Sequence, residues 1–324
     1  MSARKLVSLD DVLAARETIR DRVHRTPTFS SRTLSERLGA RAYLKAELFQ
    51  RTGSFKPRGV LAKLASLSTE EKERGIVTWS AGNAAQAVAY GATSEGLACR
   101  VFMSRHANPL KVAATREYGA EVDLEADDPF EAHERLLAYV EETGATFVHP
   151  FDDPALHAGH GSLGLELVED VRDLAVVVVP VGGGGLISGV ATAVKGRRPD
   201  VRVVGVEPET STAMHSALAA GEPVRVDSKT IADGLGAPFT GEHCLAVCRE
   251  RVDEVVLVSD AEIAEAMRFL YGRAKLACEP AGAASTAALL TGRVSVPPGG
   301  AAVAVVSGGN TAPETASGIL GSEP

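Results

Sequence analysis

The most reactive group the chain offers is a lysine set between an aromatic residue and a proline, in Arg51-Thr52-Gly53-Ser54-Phe55-Lys56-Pro57-Arg58-Gly59. Pro57 suits the first turn of a helix running through Val60, Leu61, Leu64 and Leu67, which puts Lys56 at a helix N-terminus. An ammonium that faces the positive end of a helix and is partly desolvated beside Phe55 is disfavoured against the neutral amine, so its pKa should fall well below the ordinary ~10.4. A neutral lysine adds to carbonyls, and the chemistry expected of Lys56 is Schiff-base formation.

Three further segments could hold the anionic parts of a partner for that lysine. The first is Val181-Gly182-Gly183-Gly184-Gly185-Leu186-Ile187-Ser188-Gly189, at the end of an apolar run and the start of a helical pattern. Glycines without a Cβ let an anion approach the backbone, and the following helix presents free N–H groups, so phosphate is the natural occupant. The second, Ser80-Ala81-Gly82-Asn83-Ala84, is another strand-to-helix junction, whose amides and Ser80 hydroxyl could hold a carboxylate. The third, Ser307-Gly308-Gly309-Asn310, ends the last apolar run. Glu207 closes the strand after the glycine loop, about where a ribose-binding acid lies in dinucleotide folds, so a nucleotide competes for the loop. The Gly-x-Gly-x-x-Gly spacing fails in every register, however, and a nucleotide leaves Lys56 unexplained.

Short β-branched runs alternate with longer helical patterns from about Ala42 onward, the rhythm of parallel strands joined by crossover helices, so the fold class is α/β. The runs predict strands over 43–46, 76–79, 100–103, 121–124, 175–180, 201–207, 255–258 and 301–306. Val176-Val177-Val178-Val179 and Val303-Ala304-Val305-Val306 should be central strands, covered on two faces. With 324 residues, 45% of them hydrophobic, the chain can bury a full core, and a net charge of −8 offers no basic stripe for nucleic acid or anionic membrane. Met1-Ser2-Ala3-Arg4-Lys5 leads into a polar pattern rather than a signal region, and no stretch approaches the ~20 apolar residues of a membrane span. A cytoplasmic location is expected. Cys244 and Cys248 would share one helix face, as a metal pair or, better, as two buried small residues.

Taken together and in this order, Ser-Phe-Lys, Ser-Ala-Gly-Asn, the glycine loop and Ser-Gly-Gly-Asn resemble the fold type II pyridoxal phosphate enzymes, in particular the serine/threonine dehydratases. Glu279-Pro280-Ala281-Gly282-Ala283 and Ala232-Asp233-Gly234 are similar to further stretches of that family. The resemblance implies pyridoxal 5'-phosphate held as an internal aldimine on Lys56, with Phe55 and Asn83 beside the ring. Gly182, Gly183, Gly184 and Gly185 would form the phosphate loop, and Ser307 would bond the pyridine nitrogen. Ser80, Gly82, Asn83 and Ala84 would hold the substrate carboxylate. The resemblance also implies a large cofactor-binding lobe from residues 1–49 plus 147–324, a small inserted lobe over 50–146, a homodimer, and no C-terminal regulatory domain. Glu207 matches one acid of a magnesium or calcium site found in some relatives, but Ala213 replaces the second. Ala84 stands where many relatives have histidine, His160 replaces a glutamine, and Ala81 replaces the second serine of relatives that racemise serine.

The activity these features imply is dehydration and deamination of L-threonine or L-serine to a 2-oxo acid and ammonia. Elimination from 3-hydroxyaspartate or phenylserine, serine racemisation and β-replacement keep the same cofactor. A nucleotide-binding protein without activity is the alternative outside the class.

Overall fold

Val303-Ala304-Val305-Val306 and Val176-Val177-Val178-Val179 are buried along their length and occupy the middle of the larger of two sheets, as continuously apolar runs require. The computed structural model describes residues 6–321, so the N-terminal segment 1–5, read above as no signal region, and residues 322–324 lie outside the described residues. The strands are β1 (Thr28–Ser30), β2 (Arg41–Ala46), β3 (Ile76–Trp79), β4 (Cys99–Ser104), β5 (Glu121–Ala126), β6 (Thr146–Phe147), β7 (Leu174–Pro180), β8 (Arg202–Pro208), β9 (Glu254–Val258) and β10 (Ala301–Val306). One sheet runs β1-β2-β10-β7-β8-β9 and the other β5-β4-β3-β6. Every pairing between these strands is parallel except that of β1 with β2. All eight strands expected from the sequence form; β1 and β6 were not expected, being too short to show a period.

Parallel neighbours cannot be joined by hairpins, so helices connect the strands and cover the sheets. The helix Pro280–Leu290 is buried along almost all its length against the larger sheet, and Gly185–Arg197 packs in the apolar cluster on the other face with Val177, Val179 and Val303. Ser259 opens the helix Asp260–Phe269 with a reciprocal cap from Glu262. Cys244 and Cys248 lie on one face of Glu242–Arg251 and are both buried in the apolar core.

The helix that begins at Lys56 (Lys56–Ala65) is held by a charge cluster that the apolar pattern did not reveal. Arg58, fully buried, gives its Nε and one terminal nitrogen to both oxygens of Glu47 at 2.8 and 2.9 Å, and reaches Glu166 at 2.7 and 3.0 Å. The Ser162 hydroxyl and the His24 carbonyl accept further N–H groups, so the guanidinium fork is saturated. Buried Lys45 completes the cluster by donating to Glu166 at 2.7 Å and to the Thr26 carbonyl. Two cations thus face two carboxylates. Burial alone would push the Glu47 carboxyl up; Arg58, and behind it Lys45, overcome that and hold it below the usual carboxylate range.

Removing Arg58 would leave buried Glu47 without its ion-pair partner and Glu166 with Lys45 alone. Arg58→Met should therefore lower unfolding free energy by about 3–5 kcal/mol in urea titrations at neutral pH. The pH response should also change sign. In the parent, the depressed Glu47 pKa contributes stability above the unfolded carboxyl pKa that is lost as pH falls. In the variant, burial is no longer overcome by Arg58 at Glu47, whose pKa is raised, so stability should be regained as pH falls from 8 toward about 5.

Candidate active site

A cavity of about 520 Å³ opens at the carboxyl ends of strands from both sheets, where the connecting loops diverge and open α/β sheets leave a crevice. Its wall takes Trp79 and Ser80 after β3, Pro150 and Phe151 after β6, the glycine loop after β7 and Ser307 after β10, with Lys56 among them. The sequence-predicted site residues Phe55, Lys56, Ser80, Gly82, Asn83, Ala84, Gly182, Gly183, Gly184, Gly185 and Ser307 all line this one space. Glu207 does not.

Lys56 is the first residue of its helix, with Pro57 in the first turn as predicted. Its Nζ donates to the Pro150 carbonyl at 2.8 Å and lies 5.2 Å from the centre of the Phe55 ring. Burial lowers its pKa to about 8, with Cys244 and Glu279 pulling the other way. Desolvation is thus the main cause, where the sequence pointed to both burial and the helix end. The Phe55 N–H donates to the Ser307 carbonyl at 3.0 Å, and Ser54 bridges to Gly308, so the lysine loop is tied to the turn after β10. Behind Phe55, the His160 ring packs edge-on at 4.8 Å; burial holds its pKa well below the ordinary value, and neither ring nitrogen has a partner among the described residues. His160 therefore serves as a neutral packing group where it abuts the aromatic ring.

The glycine loop shows why its residues lack side chains. A Cβ on Gly183 would lie 2.3 Å from the Phe151 ring, and Gly184 adopts φ +101° with Met214 and Cys244 packed against it. Among the described residues no acceptor takes the N–H groups of Gly182, Gly183 or Gly184, and the helix Gly185–Arg197 begins without a side-chain cap. The helix Asn83–Ser94 is likewise uncapped at Gly82, and Ser80 Oγ accepts only the Gly82 N–H at 3.2 Å. Two anion cradles thus face one cavity. The Ser307 hydroxyl is nearly buried and makes no hydrogen bond to the described residues. A half-buried amine, an open amide cradle and an unspent hydroxyl together fit a phosphate ester that carries an aldehyde and a basic ring nitrogen.

Two expectations give way. Both oxygens of Glu207 accept backbone N–H groups, from Met214 at 2.7 Å and His215 at 2.8 Å, and burial pushes the carboxyl up to about 7. It caps the helix Ala213–Ala220, so neither the ribose-binding role nor the magnesium or calcium site has a ligand set there among the described residues. Asp152, His157 and Cys244 do converge within 4.8 Å. His157 Nε2 lies 2.7 Å from the Phe151 carbonyl, which can only accept, so that nitrogen carries a proton and is not free for an ion.

Several residues of the site were not singled out. Glu279 accepts from Asn83 Nδ2 at 2.7 Å; burial and Asp233 push its carboxyl up to about 7, against Lys111, Asn83 and Lys56. Lys111 pairs with Asp233 at the cavity rim, and Arg225 lies 3.6 Å over the Phe130 ring. These contacts join segments far apart in sequence. Only Glu279 and Asp233 lay in stretches noted in the sequence, Glu279-Pro280-Ala281 and Ala232-Asp233-Gly234, and no role was assigned to either.

The geometry defines an α/β protein with a lysine of lowered pKa in the same cavity as two uncapped helix N-termini. The pyridoxal-phosphate dependent enzyme family matches residues 19–308, and the chain belongs to that family. It is 46% identical to the L-threonine ammonia-lyase of Thermotoga maritima over 306 residues, 94% of this chain and 76% of that protein. Among solved structures it is similar to a T.th. threonine deaminase (41% identity, TM-score 0.88, 94% of this chain and 99% of that one). It is also similar to maize serine racemase (35% identity, TM-score 0.92, 96% of each chain). The cofactor is pyridoxal phosphate and the fold is the type II arrangement.

Covalent capture of pyridoxal phosphate by protein stripped of cofactor should accelerate with pH and level off with a midpoint near 8, because only the neutral amine adds to the aldehyde. Stopped-flow absorbance checks this; a midpoint above ~10, the ordinary lysine value, would refute the lowered pKa. Gly183→Ala should weaken binding of pyridoxal phosphate about tenfold or more, since its methyl must displace the Phe151 ring. Equilibrium dialysis gives the value.

Proposed function

We propose that the protein is an ammonia-lyase that dehydrates L-threonine or L-serine, releasing a 2-oxo acid and ammonia. The observation that carries the reading is the half-buried Lys56 amine, titrating near 8, in the same cavity as two uncapped helix N-termini. Likeness to threonine ammonia-lyases over 94% of the chain supports the substrate class.

In this reading Lys56 bears the cofactor, and the amides of Gly182, Gly183, Gly184 and Gly185 hold its phosphate. Bound pyridoxal phosphate supplies an electron sink for the carbanion formed at the substrate α-carbon. Phe55 would cover the ring, Asn83 would donate an N–H to the 3-oxygen, and the Ser307 hydroxyl would bond the ring nitrogen without forcing its protonation. Ser80 and the amides of Gly82, Asn83 and Ala84 would grip the substrate carboxylate in the same cavity as Lys56. As a neutral base the Lys56 amine would take the substrate α-proton, and the Pro150 carbonyl 2.8 Å from Nζ keeps the amine aimed. The β-hydroxyl would depart as water with the proton that Lys56 has taken, and hydrolysis of the remaining enamine would give the 2-oxo acid and ammonia. Ala81 brings no acid to the far side of the cavity, which favours elimination over racemisation.

The two lobes of this reading are residues 50–146 and the remainder, supported by a four-stranded sheet spanning Ile76 to Phe147 whose last strand runs one residue past that boundary. A homodimer in the cytoplasm is the setting we propose. The four cysteines are free, as suits a reducing compartment, and among the described residues no helix is long and apolar enough to cross a membrane.

Lys56→Ala should leave the fold intact by circular dichroism and lower ammonia release from L-threonine by about 10³-fold or more, since one residue both binds the cofactor and moves the proton. Turnover at the parent rate would reject the reading.

A further inference from the structure

Asn310 follows β10 and is absent from the cavity wall, yet it decides which way a cavity residue points. Its Nδ2 donates to the Thr52 carbonyl at 2.6 Å and to Asn83 Oδ1 at 2.9 Å. A backbone carbonyl can only accept, so Asn310 must turn its NH₂ group toward Thr52, and the second hydrogen of that group then meets Asn83. Asn83 is obliged to present its oxygen there and its own NH₂ group to Glu279, whose Oε1 accepts at 2.7 Å. One N–H of Asn83 remains unspent, on a side chain that lines the cavity.

The relay is anchored at each end by main chain. Asn310 sits against Gly53, where a Cβ would lie 2.4 Å from Asn310 Oδ1, and the Gly309 N–H donates to the Gly53 carbonyl. Glu279 donates its own N–H to the Gly308 carbonyl. The turn after β10 therefore fixes both neighbours of Asn83, which itself starts a helix on the smaller sheet. An amide without such partners can flip, exchanging donor for acceptor at little cost.

We propose that Asn310 is a positioning residue: it sets the amide orientation of Asn83 and thereby leaves one Asn83 N–H for the 3-oxygen of bound pyridoxal phosphate. The inference rests on the reading of the cavity given above. It differs from a structural role because it concerns one oxygen of the ligand.

The test compares pyridoxal phosphate with its 3-O-methyl ether, which cannot carry charge on that oxygen. Full-length protein loaded with either ligand is taken through a dilution series, with release read from the fluorescence of Trp79, the chain's one tryptophan and part of the cavity wall. The parent protein should retain pyridoxal phosphate about tenfold better than the ether, the effect of one hydrogen bond to a charged acceptor. Asn83→Ala should abolish the preference. Asn310→Ala should reduce it severalfold while leaving ether binding near the parent value. Asn310→Asp, whose carboxylate repels the Thr52 carbonyl and draws the Asn83 NH₂ group away from Glu279, should abolish it. Full preference retained in Asn310→Ala and Asn310→Asp, or equal weakening of both ligands, would overturn the inference while leaving the proposed function standing. Failure of the parent protein to retain either ligand would overturn both.

Discussion

A saturated guanidinium in the interior is the constraint on which the site depends. Arg58 stands two residues after Lys56, and its N–H groups are spent on Glu47, Glu166, Ser162 and His24. Such a cluster adds little net stability over an apolar core, because desolvation of the charges offsets their attraction. What it supplies is directional. A planar fork matched to two carboxylates admits one placement of the first turn of the helix, whereas apolar packing tolerates sliding by a fraction of an ångström. Lys56 Nζ meets the Pro150 carbonyl because the turn that carries it cannot shift.

The cavity beside that helix concentrates partial positive charge without many cations. Glycine-loop amides and the first turn of Asn83–Ser94 both face it, each at the end of a helix with no side-chain cap. Fixed dipoles of this kind need not reorganise when an anion arrives, and they leave the lysine free to be neutral. The acids nearby are managed differently. Glu279 forms no ion pair among the described residues and is held near neutrality by burial, whereas Glu207 is turned away into a helix cap. The distinction separates a carboxyl that belongs to the site from one that only shares its sequence neighbourhood.

Contacts between the two sheets gather at the cavity rim. Asn83 meets Glu279 and Asn310, Lys111 meets Asp233, and Arg225 covers Phe130. The Phe151 ring under Gly183 stands 5.8 Å from Phe239, which stacks on Trp79 at 6.2 Å, so the wall after β3 is continuous with the phosphate loop. Changes in one part of this wall must be felt at the other, because close-packed rings transmit displacement.

The sequence by itself determined the strands with a clear period or an unbroken apolar run, the start of the helix at Lys56 from Pro57, and the glycine loop as a strand-to-helix junction. Each of these is written locally, in the spacing of a few residues, and the joint order of four short segments was enough to name their chemistry. Strands of two or three residues such as β1 and β6 carry too few positions to show a pattern. The direction Glu207 takes was not legible, because strand-end position says nothing about where a carboxylate turns, and its partners, the amides of Met214 and His215, belong to a later helix. Tertiary structure alone decided the buried cluster around Arg58, the neutral His160 behind Phe55, and the orientation of Asn83. These depend on hydrogen-bond donors and acceptors brought together from as far apart as Thr52 and Asn310, a pairing that local spacing does not encode.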